Sequence, residues 1–183
     1  MLNPITNALT IDLEDYYMVS AFESVVDKEN WQLHESRTER NTHRVLDILD
    51  AANGNHGVKA TFFCLGWVGE KYGTLIREIG RRGHEIACHG YDHQLVYRMT
   101  PEQFREDVLV SKRILEDAVG KGVIGYRAPS YSITEKSLWA LEILGEEGYR
   151  YDSSIFPIHH DRYGMPTAPR FPFLVRRNGD GGN

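Results

Sequence analysis

Two histidines and a scatter of acids are the residues of this 183-residue chain whose types and spacing can do chemistry. His89-Gly90-Tyr91-Asp92-His93 sets two imidazoles four residues apart. If that segment makes a helical turn, both rings lie on one face and can share a cation. A metal bound by two neutral histidines still needs an oxygen donor and an open position for water. The acids able to supply the oxygen stand far upstream, at Asp12, Glu14 and Asp15. In an extended segment residues two apart project to the same side, so Asp12 and Glu14 can point together, one binding metal while the other takes a proton. A solvated strand end suits Asp15 better than Asp12, which directly follows Leu9-Thr10-Ile11. Arg127, in the rigid setting Arg127-Ala128-Pro129, and Asp152 complete the reactive set.

The elements that must bring these groups together alternate along the chain. Residues 8–13 (ALTIDL) read as a short strand ending in acids. Asn41 or Thr42 can cap a helix with Val45, Leu46, Ile48 and Leu49 inward, ended at Gly54. Residues 59–65 (KATFFCL) form a second strand, and Gly66 opens a helical stretch carrying Val68, Leu75, Ile76 and Ile79, stopped at Gly83. Residues 84–89 are the third strand. Thr100-Pro101-Glu102-Gln103 is a capping box with proline at the first helical position, starting a helix that runs to about Val119. Residues 123–127 make a fourth strand, Thr134 starts a helix with Leu138, Leu141, Ile143 and Leu144 inward, and residues 149–152 are the fifth strand.

Repeated strand and helix imply an α/β fold with a parallel sheet, either doubly wound or a barrel. Asp12/Glu14/Asp15, His89/His93, Arg127 and Asp152 all fall at or just beyond strand C-termini, which is how (β/α) barrels assemble their sites. An open doubly wound sheet usually has a glycine-rich phosphate turn after its first strand, where this chain has acids.

Composition narrows the partners. A net charge of -5 and a pI near 5.9 offer no basic surface for nucleic acid. No transmembrane segment of about 18 apolar residues is present, and residues 1–7 lack the basic and apolar regions of a signal peptide, so the cytoplasm is the expected location. Apolar residues make up 41% of the chain, enough for one packed domain. Cys64 and Cys88 sit in apolar stretches as buried free thiols. Tyr16, Tyr17, Trp31, Trp67, Tyr91 and Tyr131 could stack on sugar rings, although aromatics in such a domain more often fill the core.

Thr10-Ile11-Asp12-Leu13-Glu14-Asp15, His89 to His93, Arg127-Ala128-Pro129 and Asp152-Ser153-Ser154 resemble, in order, the first four signature segments of the NodB-homology polysaccharide deacetylases, carbohydrate esterase family 4. Asp12-Leu13-Glu14-Asp15-Tyr16-Tyr17 followed by Val19-Ser20-Ala21-Phe22 looks like the subgroup found with exopolysaccharide loci and PEP-CTERM/exosortase systems, which admits work near the inner membrane through partners. The resemblance implies a distorted (β/α) barrel and a divalent metal, Zn²⁺ first among candidates. It also implies a hydrolase that removes N-acetyl groups from an N-acetylated polysaccharide.

On that resemblance Asp12 is the general base, His89 and His93 are metal ligands, and Arg127 pairs with Asp12 to keep it ionised and oriented. The family's usual metal carboxylate follows the base directly, but here that position is Leu13. The ligand must therefore be Glu14 or Asp15, and the two-residue strand period favours Glu14. The backbone N–H of Ser130 would face the oxyanion, with Tyr131 one position later than the family's usual aromatic. Asp152 resembles the acid that tunes a general-acid histidine in a fifth segment of Leu-x-x-His type. No such segment follows, and His159 and His160 come too soon to supply it, so residues 1–183 read as a single catalytic domain cut short at its C-terminus. Residues 171–175 could begin another strand before the glycine-rich end. Two other readings stay open: hydrolysis of small linear or cyclic amides, and a non-catalytic carbohydrate-binding remnant.

Overall fold

A computed structural model describes residues 7–176; residues 1–6 and 177–183, with the readings made on them, lie outside the described residues. Five strands build one sheet: β1 (Thr10–Leu13), β2 (Thr61–Cys64), β3 (Glu85–Cys88), β4 (Gly125–Tyr126) and β5 (Tyr151–Asp152). They lie in chain order, each parallel to the next. The order never reverses, so the sheet has no switch point of the doubly wound kind and forms an arc of the (β/α)-barrel type. The last two strands are two residues each, shorter than the sequence pattern, and residues 171–175 form no strand, with Phe171 81% and Leu174 86% exposed.

Register sorts the side chains into two rows. Leu13, Cys64, Cys88, Tyr126 and Asp152 are aligned neighbours across all five strands. The first four belong to the core under the helices, where Phe104 meets the Tyr126 ring edge-on, and both cysteines are buried free thiols. Asp12, Phe63 and Ala87 form the alternate row, on the other face of the sheet.

The helices are α1 (Thr38–Asn55), α2 (Gly66–Lys71), α3 (Gly73–Arg81), α4 (Pro101–Val119) and α5 (Trp139–Glu146). α1 begins before the expected Asn41 or Thr42 and runs past Gly54. Its earlier start has a partner outside the helix, because Asp15 Oδ2 accepts from Arg37 N at 2.7 Å and from Thr38 Oγ1 at 3.1 Å. The expected helix over 66–83 is two helices, parted at Tyr72, whose φ of -126° and ψ of 42° leave the helical region. Ile48 and Leu138, expected inward, are 67% and 44% exposed, because Thr38, Thr42, Leu46 and Leu49 make the buried face of α1 and Leu138 precedes α5 rather than lying within it.

α4 is the central support. The Thr100–Gln103 capping box forms as the sequence requires, and Gly120 ends the helix at φ 68°. α2 packs close against it: a Cβ on Gly66 would stand 2.9 Å from Ser111 Oγ, and one on Gly69 2.9 Å from Leu115 Cδ2. From α4, half-buried Asp107 accepts the Tyr91 N–H through both carboxylate oxygens, at 3.2 and 3.0 Å. Gly66 N and Trp67 N donate to the carbonyls of Gly90 and Tyr91. The loop after β3 is thus pinned from two helices at once.

Burial pushes the Asp107 carboxyl up to about 7. A carboxyl raised on folding binds its proton more tightly in the folded than in the unfolded state, so its effect is a loss of stability as pH climbs from about 4 to about 7. Asp107→Asn should shrink that loss in urea melts across the window. Asp107→Ala, which leaves the Tyr91 N–H without its acceptor, should cost ~1–3 kcal/mol.

Candidate metal centre

The site grows from the C-terminal ends of β1, β3 and β4. Arg127, just past β4 and 7% exposed, is its hub. A buried guanidinium must be paired, and here each edge is used. Nη1 donates to Asp12 Oδ1 at 2.7 Å, while Nη2 donates to Thr10 Oγ1 at 3.0 Å and Ser153 Oγ at 2.9 Å. Its plane covers Phe63, with Cζ 4.1 Å from the ring centroid. The same residue's carbonyl accepts from His89 Nδ1 at 2.7 Å. That bond puts the ring proton on Nδ1 and leaves Nε2 unprotonated, with its lone pair available to the site.

Glu14, His89 and His93 each offer one ligand atom, and the three atoms lie within 4.8 Å of one another. Glu14 Oε2 stands 3.1 Å from His93 Nε2, and His89 Nε2 is 4.0 Å from Asp12 Oδ2. Asp12 therefore divides its carboxylate, one oxygen held by Arg127 and the other turned toward the histidines. Burial and the neighbouring His89 drop His93 to about 3, and burial also lowers His89, so both rings are neutral at ordinary pH. Burial, then the charge of Asp12, raises Glu14 to about 8.

Buried Glu14 Oε2 makes no hydrogen bond. A bare carboxylate oxygen facing a neutral imidazole nitrogen is two acceptors with nothing between them, a gap that a proton or a cation fills. Two neutral imidazoles and one carboxylate are a donor set suited to a divalent first-row ion, so the residues present fit the metal that the sequence implied.

The structure redistributes several of the expected roles. Asp15 was a second candidate for the carboxylate ligand and suited a solvated strand end; it is 3% exposed and spent on α1, with Oδ1 taken by Tyr16 N. One residue of strand parity turns it away from Glu14. Asp152 lies in the helix-facing row with Tyr126, one face removed from Asp12, and its carboxylate closes its own turn by accepting from Ser154 N and Oγ. The histidine segment is not a helical turn: His93 sits at φ 61°, and the two rings meet edge-on at 5.6 Å.

Ser130 and Tyr131 stand beside Arg127, both at positive φ, 49° and 53°. The Tyr131 N–H is committed to the Ala128 carbonyl, and its ring lies against Phe156 and Tyr163. Tyr17 and Trp31 are core residues at 2% exposure, not a sugar platform. His159 and His160 are exposed loop histidines, and His160 stacks on Tyr163. Thr10, Ser20 and Ser153 touch the site; the sequence places them inside the quoted motif segments but assigns them no role, because a hydroxyl's partner is not set by spacing.

A parallel (β/α) arc carries at its strand ends a His₂-carboxylate cluster that could hold a metal ion. The family profile described as Polysaccharide deacetylase matches residues 25–150, more than half of the chain. The chain belongs to that family, as the NodB-homology resemblance implied. It is 33% identical over 102 residues to the peptidoglycan-N-acetylglucosamine deacetylase of Bacillus cereus, covering 55% of this chain and 36% of that protein. A candidate polysaccharide deacetylase from Mycobacterium smegmatis superposes with a TM-score of 0.66 at 28% identity, covering 81% of this chain and 50% of the other. A family 4 acetyl xylan esterase from Clostridium thermocellum, solved with a cobalt ion, gives a TM-score of 0.51 at 25% identity, covering 70% and 51%. The matched segments thus span about a third to a half of those proteins.

The two adjacent acids can be told apart by zinc titration. Glu14→Ala should weaken Zn²⁺ binding at least ~10-fold. Asp15→Ala should leave Zn²⁺ binding near the parent value and lower stability by ~1–2 kcal/mol through loss of the α1 contacts.

Proposed function

We propose that this chain is a divalent-metal hydrolase that removes acetyl groups from an N-acetylated sugar polymer. Zn²⁺ is the proposed ion, held by Glu14, His89 and His93. The observation that carries this reading is the convergence of those three ligand atoms beside an Asp12 that is already held by Arg127. An ion bound there would supply Lewis acidity, making a water more acidic and polarising the acetyl carbonyl.

The chain's own residues do the rest. Asp12 Oδ2, left free by the Arg127 contact to Oδ1, takes the proton of the attacking water. Arg127 fixes that carboxylate through a buried, multiply bonded guanidinium, so its orientation needs no rearrangement during the reaction. The Ser130 N–H is the proposed donor to the carbonyl oxygen as charge builds on it. Water adds across the amide, the C–N bond breaks, and the proton taken up ends on the sugar nitrogen, giving acetate and a free amine.

Exopolysaccharide is the proposed polymer class, on the Asp12 to Tyr17 and Val19 to Phe22 segments described above. The Bacillus cereus relative, by its name, acts on peptidoglycan N-acetylglucosamine. β-1,4-linked N-acetylglucosamine oligomers are therefore the first substrates to try.

Asp12→Asn should keep Zn²⁺ binding and lower acetate release from chitooligosaccharides by ~10²–10⁴-fold. An Asp12→Asn protein that released acetate at the parent rate would overturn the assignment of the base.

A further inference from the structure

Ser20 belongs to a single helical turn, Ser20–Phe22, that follows the β1 acids closely in the chain but is remote from His93 and Ser130. Its Oγ lies 3.3 Å from His93 Nδ1 and 3.3 Å from Ser130 Oγ. Among the described residues, the non-glycine residues at positive φ are His93, Ser130 and Tyr131. One hydroxyl therefore joins two of the three residues that the fold holds in a conformation side chains disfavour, and such conformations persist only where the surroundings enforce them.

The two metal histidines are oriented by different means. His89 gives its Nδ1 proton to the Arg127 backbone carbonyl, a partner that no side-chain change removes. His93 has the Ser20 hydroxyl instead. We propose that Ser20 is a positioning residue, which fixes the His93 tautomer for a divalent cation and passes that hydrogen-bond direction on to Ser130. The inference rests on the metal-centre reading above.

The direction follows from donor counting. A His93 that offers Nε2 to a cation must carry its ring proton on Nδ1, and that proton can only be donated. Ser20 Oγ accepts it. The Ser20 proton is then given to Ser130 Oγ, and Ser130 keeps its own proton for an oxygen or nitrogen of the substrate. With the opposite tautomer the chain reverses, His93 Nδ1 becomes an acceptor, and Nε2 is blocked by a proton. Binding at His93 and donation by Ser130 are thus two ends of one chain of hydroxyls.

The test is Zn²⁺ affinity by competition with a chromophoric chelator, paired with ¹⁵N NMR of the His93 ring, on the parent chain, Ser20→Ala, Ser20→Thr and Ser130→Ala. Ser20→Ala should weaken Zn²⁺ ~10-fold, the scale of losing a histidine's orienting partner, and the zinc-free His93 should populate both tautomers. Ser20→Thr, which keeps the hydroxyl, should recover the parent affinity. Ser130→Ala should bind Zn²⁺ normally and raise KM for chitooligosaccharides more than it lowers kcat. NMR on the unsubstituted chain gives an independent readout: a His93 protonated mainly on Nε2 overturns the proposal without any variant. A parent chain that binds Zn²⁺ together with a Ser20→Ala protein of equal affinity and unchanged tautomer also overturns it, while leaving the metal centre standing. A parent chain that binds no Zn²⁺ defeats the metal reading itself and this inference with it.

Discussion

The pairing of Arg127 with Asp12 organises this molecule's site. A guanidinium buried to 7% exposure is tolerable only when its donors are met, and the residues that meet them come from two strands other than its own. Thr10 and Asp12 lie on β1, Arg127 follows β4, and Ser153 follows β5. The contact that neutralises the charge therefore also fixes the spacing of those strand ends. Through its carbonyl, Arg127 sets the His89 ring as well, so one residue orients both the proposed base and a proposed ligand.

Around that hub the fold keeps an electrostatic imbalance. Glu14 and His93 are buried face to face, one raised to about 8 and the other lowered to about 3, each mainly because burial disfavours its charged form. In a purely structural role such a pair would be replaced at little loss by apolar groups. A divalent cation reverses the preference, because it stabilises the ionised carboxylate and the neutral imidazole together. The strained backbone at His93, Ser130 and Tyr131 lies in the same place, which is where strain is expected if it serves a site.

The family's usual carboxylate position is filled by Leu13, and the structure gives the reason that this is tolerated. Leu13 points into the core in register with Cys64, Cys88 and Tyr126. Glu14, one residue later, leaves the strand on the same side as Asp12 and reaches the histidines. The acid at position 14 thus shares the Asp12 side, whereas position 13 faces the core, because side chains alternate with a period of two.

Much of this was legible in the amino-acid order. The strand and helix alternation, the capping box at Thr100 and the grouping of Glu14 with His89 and His93 follow from local periodicity and from motifs whose spacing has chemical meaning, while the pairing of Arg127 with Asp12 is what the family resemblance implies. What the sequence alone left open was decided by register and long-range contact. Asp15 and Asp152 are acids in the right neighbourhoods, yet strand parity sends one to cap α1 and the other into the helix-facing row. Ser20 became visible only when the chain brought it beside His93 and Ser130, residues 73 and 110 positions away. A hydroxyl's role depends on which donor or acceptor it meets, and that meeting is a property of the tertiary fold, not of any local pattern.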